Sequence, residues 1–213
     1  MIEAILWDND GILVDTEHLY FQATREVMAD VAVPLSEQDY IEYLLKDSRG
    51  AWHLVEEAGV SADRIDELKA QRNVRYGQLI ATESSVIDGV RETLDALHGQ
   101  YAMGIVTSSR REHFDIIHAR TGLLPYFDFV LAGGDYARSK PAPDPYVAGL
   151  QRLGLSADQC IVIEDSERGL QSALAAGLRC LVIPSGMTHG GDFNGATAIL
   201  ENVREVPGQI ASL

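Results

Sequence analysis

"ILWDNDGILVDTE", residues 5–17, decides how the rest of the chain is read. An apolar run stops at Asp8, a second acid follows at Asp10 and a third at Asp15, with Gly11 directly behind Asp10. Like charges at the end of a buried strand do nothing for folding. The stretch therefore reads as a strand that delivers carboxylates to a site, and Gly11 lets the chain turn tightly there.

Four other runs share this character: "YAMGIVTSS" (101–109), "FDFVLAGGD" (127–135), "CIVIEDS" (160–166) and "RCLVIPSG" (179–186). They are near-continuous in apolar residues, the pattern of parallel strands covered on both faces. A weaker sixth, "ATAIL" (196–200), reads as an edge strand. Helical segments lie between the later runs. "DPYVAGLQRLG" (144–154) offers Asp144 as N-cap, Pro145 at the first helical position and Gly154 as the stop. "DSERGLQSALAAG" (165–177) ends at Gly177, and its Gly169, Ala173 and Ala176 suit close packing on a sheet. The alternation predicts an α/β fold, a mostly parallel sheet core with helices on both faces. Residues 15–85 read as helical throughout, where a plain crossover needs one helix. They predict an inserted α-helical cap domain, 15–85, and a discontinuous catalytic core, 1–14 and 86–213.

Composition sets outer limits. The 213 residues are 46% hydrophobic and 23% charged, ordinary for a soluble globular enzyme. A formal net charge of −15 argues against nucleic-acid or anionic-membrane partners, which need basic patches. Cys160 and Cys180 form no CxxC pair and adjoin apolar runs, so buried reduced thiols and a cytoplasmic location are expected. No signal peptide and no run of membrane-spanning length is evident. A monomer is the default expectation. His113 and His118 show no metal-ligand spacing and read as structural or exposed, Trp7 and Trp52 as packing, and Arg72 and Tyr76 as one packed helix face.

Polar or small residues end each of the first five runs: Asp8 and Asp10, Thr107 and Ser108, Gly133 and Gly134, Glu164 and Asp165, Ser185. In an open parallel sheet those ends share one edge, where ligands bind. Asp8, Asp10, Glu164 and Asp165 would repel one another there. A hard divalent cation resolves the conflict, and carboxylates with water suit Mg²⁺. Lys140, in "SKPAPDP" (139–145), and the Thr107 and Ser108 donors complete a phosphate site. Asp8, on the rigid strand end, suits a nucleophile that forms an aspartyl-phosphate. Asp10, two residues on, suits acid/base work. Lys140 and the Thr107 hydroxyl would stabilise the transferring oxygens.

These stretches resemble the four motifs of the haloacid dehalogenase superfamily, in order: "DNDGILVDTE" (8–17), "IVTSS" (105–109), "KPAPDPY" (140–146) and "IEDSERGLQSALAAG" (163–177). The match is nearest to the subfamily with a helical cap after the first motif, which includes β-phosphoglucomutase and sugar-phosphate phosphatases. The resemblance implies a Rossmann-like core, with Asp8 as nucleophile and metal ligand. It implies Asp10 as acid/base with its carbonyl on the metal, Thr107 and Lys140 on the phosphoryl oxygens, Asp165 on Mg²⁺, and Glu164 on it directly or through water. Three positions depart from the usual pattern: Asn9 where an apolar residue is common, Ile12 for Thr, and Asp88-Gly89 for Pro-Gly. The mutases resemble "DTAxxHxxAW" after the first motif. Here "DTEHLYFQAT" (15–24) has Glu17, Tyr20 and Thr24 at the distinguishing places. The favoured expectation is thus a Mg²⁺-dependent phosphatase of a small phosphorylated metabolite, a sugar or polyol phosphate. A phosphosugar mutase is the first alternative, and a non-catalytic phosphate-binding or scaffold protein the second. In "LLKDSRGAW" (44–52), Lys46, Ser48 and Arg49 could read an anionic or hydroxylated substrate, Arg49 as a ligand to substrate phosphate.

Overall fold

The structure is a computed structural model, and it describes residues 1–46 and 50–213. Arg49 and Ser48 lie outside the described residues. The chain divides into two compact units, Thr16–Ser84 on one hand and Met1–Asp15 with Ser85–Leu213 on the other.

The first unit is helical: α1 (Glu17–Ala29), α2 (Glu37–Tyr40), α3 (Trp52–Glu57) and α4 (Ala62–Glu83). Ser36 caps α2 and Ser61 caps α4 through side chains that accept backbone N–H groups. α1 and α4 pack on one another, with Leu19 and Ala23 of α1 and Leu68 and Leu79 of α4 buried. Arg75 and Glu26 pair at 2.6 Å across them. Tyr76 meets Tyr20 edge-on, and the Arg72 guanidinium lies 4.4 Å from the Tyr20 ring centre. Tyr76 and Arg72 are both buried, as a packed helix face requires. One detail differs from the sequence reading. "SEQDYIEYLL" does not form a single α-helix, because after Tyr40 the chain widens into a π-helical turn, Ile41–Lys46.

The second unit holds β1 (Ala4–Trp7), β2 (Val14–Asp15), β3 (Ser85–Val86), β4 (Ala102–Arg110), β5 (Phe129–Gly133), β6 (Cys160–Glu164), β7 (Arg179–Val182) and β8 (Ala198–Ile199). Six of them form one sheet in the order β5-β4-β1-β6-β7-β8, with every pair parallel. The expected "ATAIL" edge strand is β8. β2 and β3 form a small antiparallel ribbon. Helices α5 (Val90–Leu97), α6 (Arg111–His118), α7 (Asp144–Leu153), α8 (Glu167–Ala175) and α9 (Val206–Ala211) complete the unit. The fold is the α/β, Rossmann-like one expected.

Along β1 every residue from Ala4 to Trp7 is fully buried. Ala4 and Leu6 join one cluster with Val106, Val162, Tyr146 of α7 and Leu170 of α8. Ile5 and Trp7 point to the opposite face. That two-sided burial is why the strand reads as a continuous apolar run. Cys160 and Cys180 are free and buried, and burial pushes the Cys160 thiol up to about 11. α7 corrects one cap. Its N-cap is Pro143, and Asp144 is the first helical residue, its carboxylate engaged by the Arg138 guanidinium at 2.8 Å. Among the described residues no helix is long and apolar enough to cross a membrane.

Candidate active site

The chain runs outward from β1 through β4 to β5, then crosses back to β6 on the other side of β1. Sheets of this order place their ligand crevice where the direction reverses, outside the carboxyl ends of the strands. Asp8 leaves β1 at that edge, and its N–H donates to Ile163 O of β6 at 2.9 Å. The next residues form a compact loop in which the Leu13 and Val14 N–H groups both donate to Asn9 O. Gly11 turns this loop at φ +82, with the Asp165 carboxylate against it. A Cβ there would lie 2.2 Å from Asp165 Oδ2. Gly11→Ala should therefore cost about 2 kcal/mol or more in urea unfolding, through strained backbone and a displaced Asp165. An unchanged unfolding midpoint would show that the turn is not under this constraint.

Lys140 ties the site together. Its side chain is 3% exposed. Nζ donates to Asp8 Oδ1 at 2.8 Å, Glu164 Oε1 at 2.7 Å and Val106 O at 2.9 Å, which uses all three ammonium protons. Burial pushes this ammonium down, but the Asp8 and Glu164 carboxylates outweigh burial and the net shift is upward. Asp8 is pushed up to about 7, by burial first and by Glu164 next, against the opposing pull of Lys140.

Glu164 has no exposed surface. Its Oε1 also accepts the Tyr146 hydroxyl at 2.7 Å, and its Oε2 accepts from Asp165 N and Ser166 Oγ at 3.2 and 3.3 Å. Both oxygens are thus engaged by protein donors. Gly169 makes this possible, because a Cβ there would lie 1.9 Å from the Glu164 carboxyl carbon. Ser166 caps α8 by accepting from Gly169 N at 3.1 Å.

Asp8, Glu164 and Asp165 each offer a carboxylate oxygen, all within 4.8 Å of one another. Fully ionised, the three carboxylates against one ammonium would carry two surplus negative charges, which one divalent cation would balance. The donor set is all oxygen, which suits a hard ion such as Mg²⁺.

On the other side of Asp8, Asp10 Oδ2 accepts from Ser109 Oγ at 2.7 Å, Thr107 Oγ1 at 3.2 Å and Asn9 Nδ2 at 3.2 Å. Ser109 N in turn donates to Thr107 Oγ1 at 3.0 Å. Among the described residues the Ser108 hydroxyl oxygen is buried and accepts or donates no well-formed hydrogen bond, with the Tyr136 side chain near it. Of the residues singled out from sequence, Asp8, Asp10, Thr107, Ser108, Lys140, Glu164 and Asp165 gather at the β1, β4 and β6 ends. Tyr146, Ser109 and His118 were not singled out as functional. Tyr146 and Ser109 lie inside quoted motifs, and that was the one signal available. Asn9, where an apolar residue is common, turns its side chain to Asp10 and to His118.

Comparison with known proteins gives one consistent result. The haloacid dehalogenase-like hydrolase family matches residues 5–183. Protein CbbY of Rhodobacter capsulatus is 35% identical over 207 residues, covering 92% of this chain and 91% of that protein. A phosphorylated carbohydrates phosphatase of Thermotoga maritima is 29% identical over 202 residues, covering 94% and 91%. A crystal structure of a CbbY variant from Rhodobacter sphaeroides in complex with xylulose-(1,5)bisphosphate matches with a TM-score of 0.82 at 26% identity, covering 96% of each chain.

Proposed function

This chain belongs to the haloacid dehalogenase-like hydrolases, and from that premise we propose a Mg²⁺-dependent phosphatase of small phosphorylated carbohydrates. The observation that carries the reading is the Lys140 ammonium buried between Asp8 and Glu164, with Asp165 beside them. The substrate class comes from the relatives named above, one a phosphatase of phosphorylated carbohydrates and one bound to a sugar bisphosphate.

In this reading Asp8, Asp165 and the Asp10 backbone carbonyl would hold Mg²⁺, with Glu164, whose oxygens are engaged by protein donors, beside them. When bound there, Mg²⁺ would supply charge neutralisation at the phosphoryl oxygens. An Asp8 carboxylate oxygen attacks phosphorus, the bond from phosphorus to the sugar oxygen breaks, and an Asp8 aspartyl-phosphate forms. Asp10 gives its proton to the departing oxygen. As a carboxylate it then takes a proton from water, the water oxygen attacks phosphorus, and the Asp8 carboxylate is released with inorganic phosphate. Thr107 and Ser108 bind the transferring phosphoryl oxygens, and Lys140 reaches them by giving up its bond to Asp8 as that carboxylate becomes the ester. The helical unit Thr16–Ser84 is assigned as the inserted cap, with Arg49 as a reader of substrate phosphate.

The test is phosphate release from a panel of sugar, polyol and nucleotide phosphates. β-Glucose 1-phosphate with a bisphosphate primer runs in parallel, read as glucose 6-phosphate. One carbohydrate phosphate class should release phosphate with Mg²⁺, fall silent in EDTA and recover when Mg²⁺ is restored. Release that persists in EDTA would remove the metal from the reading. Isomerisation without release would replace the phosphatase by a mutase.

A further inference from the structure

We propose that Asn9 and His118 are positioning residues for Asp10: a buried relay from Thr121 through His118 to Asn9 aims an amide N–H at Asp10 Oδ2 and fixes the carboxyl for proton transfer. The inference rests on the acid/base role given to Asp10 above.

Asn9 is fully buried, and His118 and Thr121 are 5% and 7% exposed. His118 Nε2 lies 2.7 Å from Asn9 Oδ1, and His118 Nδ1 lies 2.9 Å from Thr121 Oγ1. The direction of every bond follows from what each atom can do. Asp10 Oδ2, as a carboxylate oxygen, only accepts, so the Asn9 NH₂ faces it at 3.2 Å. Asn9 Oδ1 then faces His118 and must accept, which places the ring proton on Nε2. Nδ1 of the neutral ring accepts, so the Thr121 hydroxyl donates. Its oxygen is also the acceptor for the Leu123 N–H at 3.3 Å. All four donors point the same way, toward Asp10, and such chains polarise one another in a dry interior.

The neutral ring that this direction needs is the one its surroundings favour. Burial pushes His118 down to about 4, against the opposing pull of Asp10 and Asp115. The relay ends on the oxygen that already accepts from Thr107 and Ser109. The Asn9 amide and the Ser109 hydroxyl hold the carboxyl plane at Oδ2, and the Thr107 hydroxyl joins them until it turns to the phosphoryl oxygens. An apolar residue at position 9 would fill the space and hold nothing there. A buried Asn–His pair costs more desolvation than a hydrophobic pair, so its presence calls for a role, and its terminus names one.

The experiment compares wild type, Asn9→Leu, His118→Leu and His118→Gln on phenyl phosphate and p-nitrophenyl phosphate with Mg²⁺. kcat/KM reports the steps through loss of the leaving group. Phenolate needs protonation as it leaves, and p-nitrophenolate needs it far less. Asn9→Leu and His118→Leu should lose about 100-fold on phenyl phosphate and under about 10-fold on p-nitrophenyl phosphate. His118→Gln, which keeps an amide donor, should recover most of the difference. The ratio of the two esters does not depend on how much of a variant folds. In an Asp10→Asn background, Asn9→Leu should leave that ratio unchanged. Equal losses on both esters, or none, overturn the relay while the phosphatase stands. An Asp10→Asn enzyme with wild-type kinetics, or a wild type that cleaves neither ester, overturns the underlying reading and the relay with it.

Discussion

Asp8→Asn should release no phosphate above background, a loss on the order of 10⁴-fold or more, while the protein becomes more resistant to heat at pH 8 in EDTA. The first half follows because an amide cannot take the place of the attacking carboxylate. The second half follows from linkage. The Asp8 carboxyl rises from its ordinary 3.8 to about 7 in the folded chain. A group whose folded value is raised contributes stability below its unfolded value and loses it as pH climbs through the folded one. Wild type without metal should therefore lose this contribution between about pH 4 and pH 7, and Asp8→Asn, which does not titrate, should not. His118 works in the opposite sense. Its folded value is lowered to about 4 from 6.5, so its share of stability is present above 6.5 and lost as pH falls toward 4. The quantity to measure is thus the difference in Tm between variant and wild type, in which His118 cancels. That gap should widen from pH 5 to pH 8 in EDTA and shrink when Mg²⁺ is added. Activity retained in Asp8→Asn would end the nucleophile assignment. A gap that does not change with pH would mean that Asp8 is not held in the unfavourable charge state its surroundings imply.

How far the site was legible depended on residue type. Asp8, Lys140, Glu164 and Asp165 stood out because charge at the end of an apolar run has a folding cost and invites a chemical reason. Tyr146, Ser109 and His118 did not, because nothing about a tyrosine in a helix or a histidine near a helix end marks it. Their roles come from packing, which brings Tyr146 onto Glu164 and His118 onto Asn9. The strands were legible for a related reason: β1 and Cys160–Ile163 are fully buried, so their runs are apolar throughout. Their order in the sheet was not, since pairing β1 with both β4 and β6 is a non-local choice that no window of sequence contains. The α7 cap went wrong by one residue because aspartate suits both the cap and the first turn. Here Arg138 and the helix start together claim Asp144 for the turn.

Lys140→Met should be the most damaging single change to the fold of the sheet unit. The ammonium is 3% exposed, with Asp8 at 11% and Glu164 at 0%. Removing one partner of a buried ionic set leaves the others uncompensated, which costs about 3–5 kcal/mol, or roughly 10 °C in Tm for a unit of this size. The Val106 carbonyl loses its donor as well. On the proposed reading, in which Lys140 binds the phosphoryl oxygens, catalysis should fall by a further factor of about 10² to 10³. The two losses can be separated. Lys140→Met with Glu164→Gln removes the charge that Lys140 balanced and keeps an acceptor for Tyr146. It should recover a substantial part of the lost Tm and none of the activity. Lys140→Arg should rescue neither fully, since a planar guanidinium cannot direct three short bonds to Asp8, Glu164 and Val106 from the volume that Nζ occupies. If Lys140→Met melts with wild type, the ammonium is not holding the two carboxylates together. If the double variant regains activity along with stability, Lys140 is a structural cation alone, and the phosphoryl group is bound by something else.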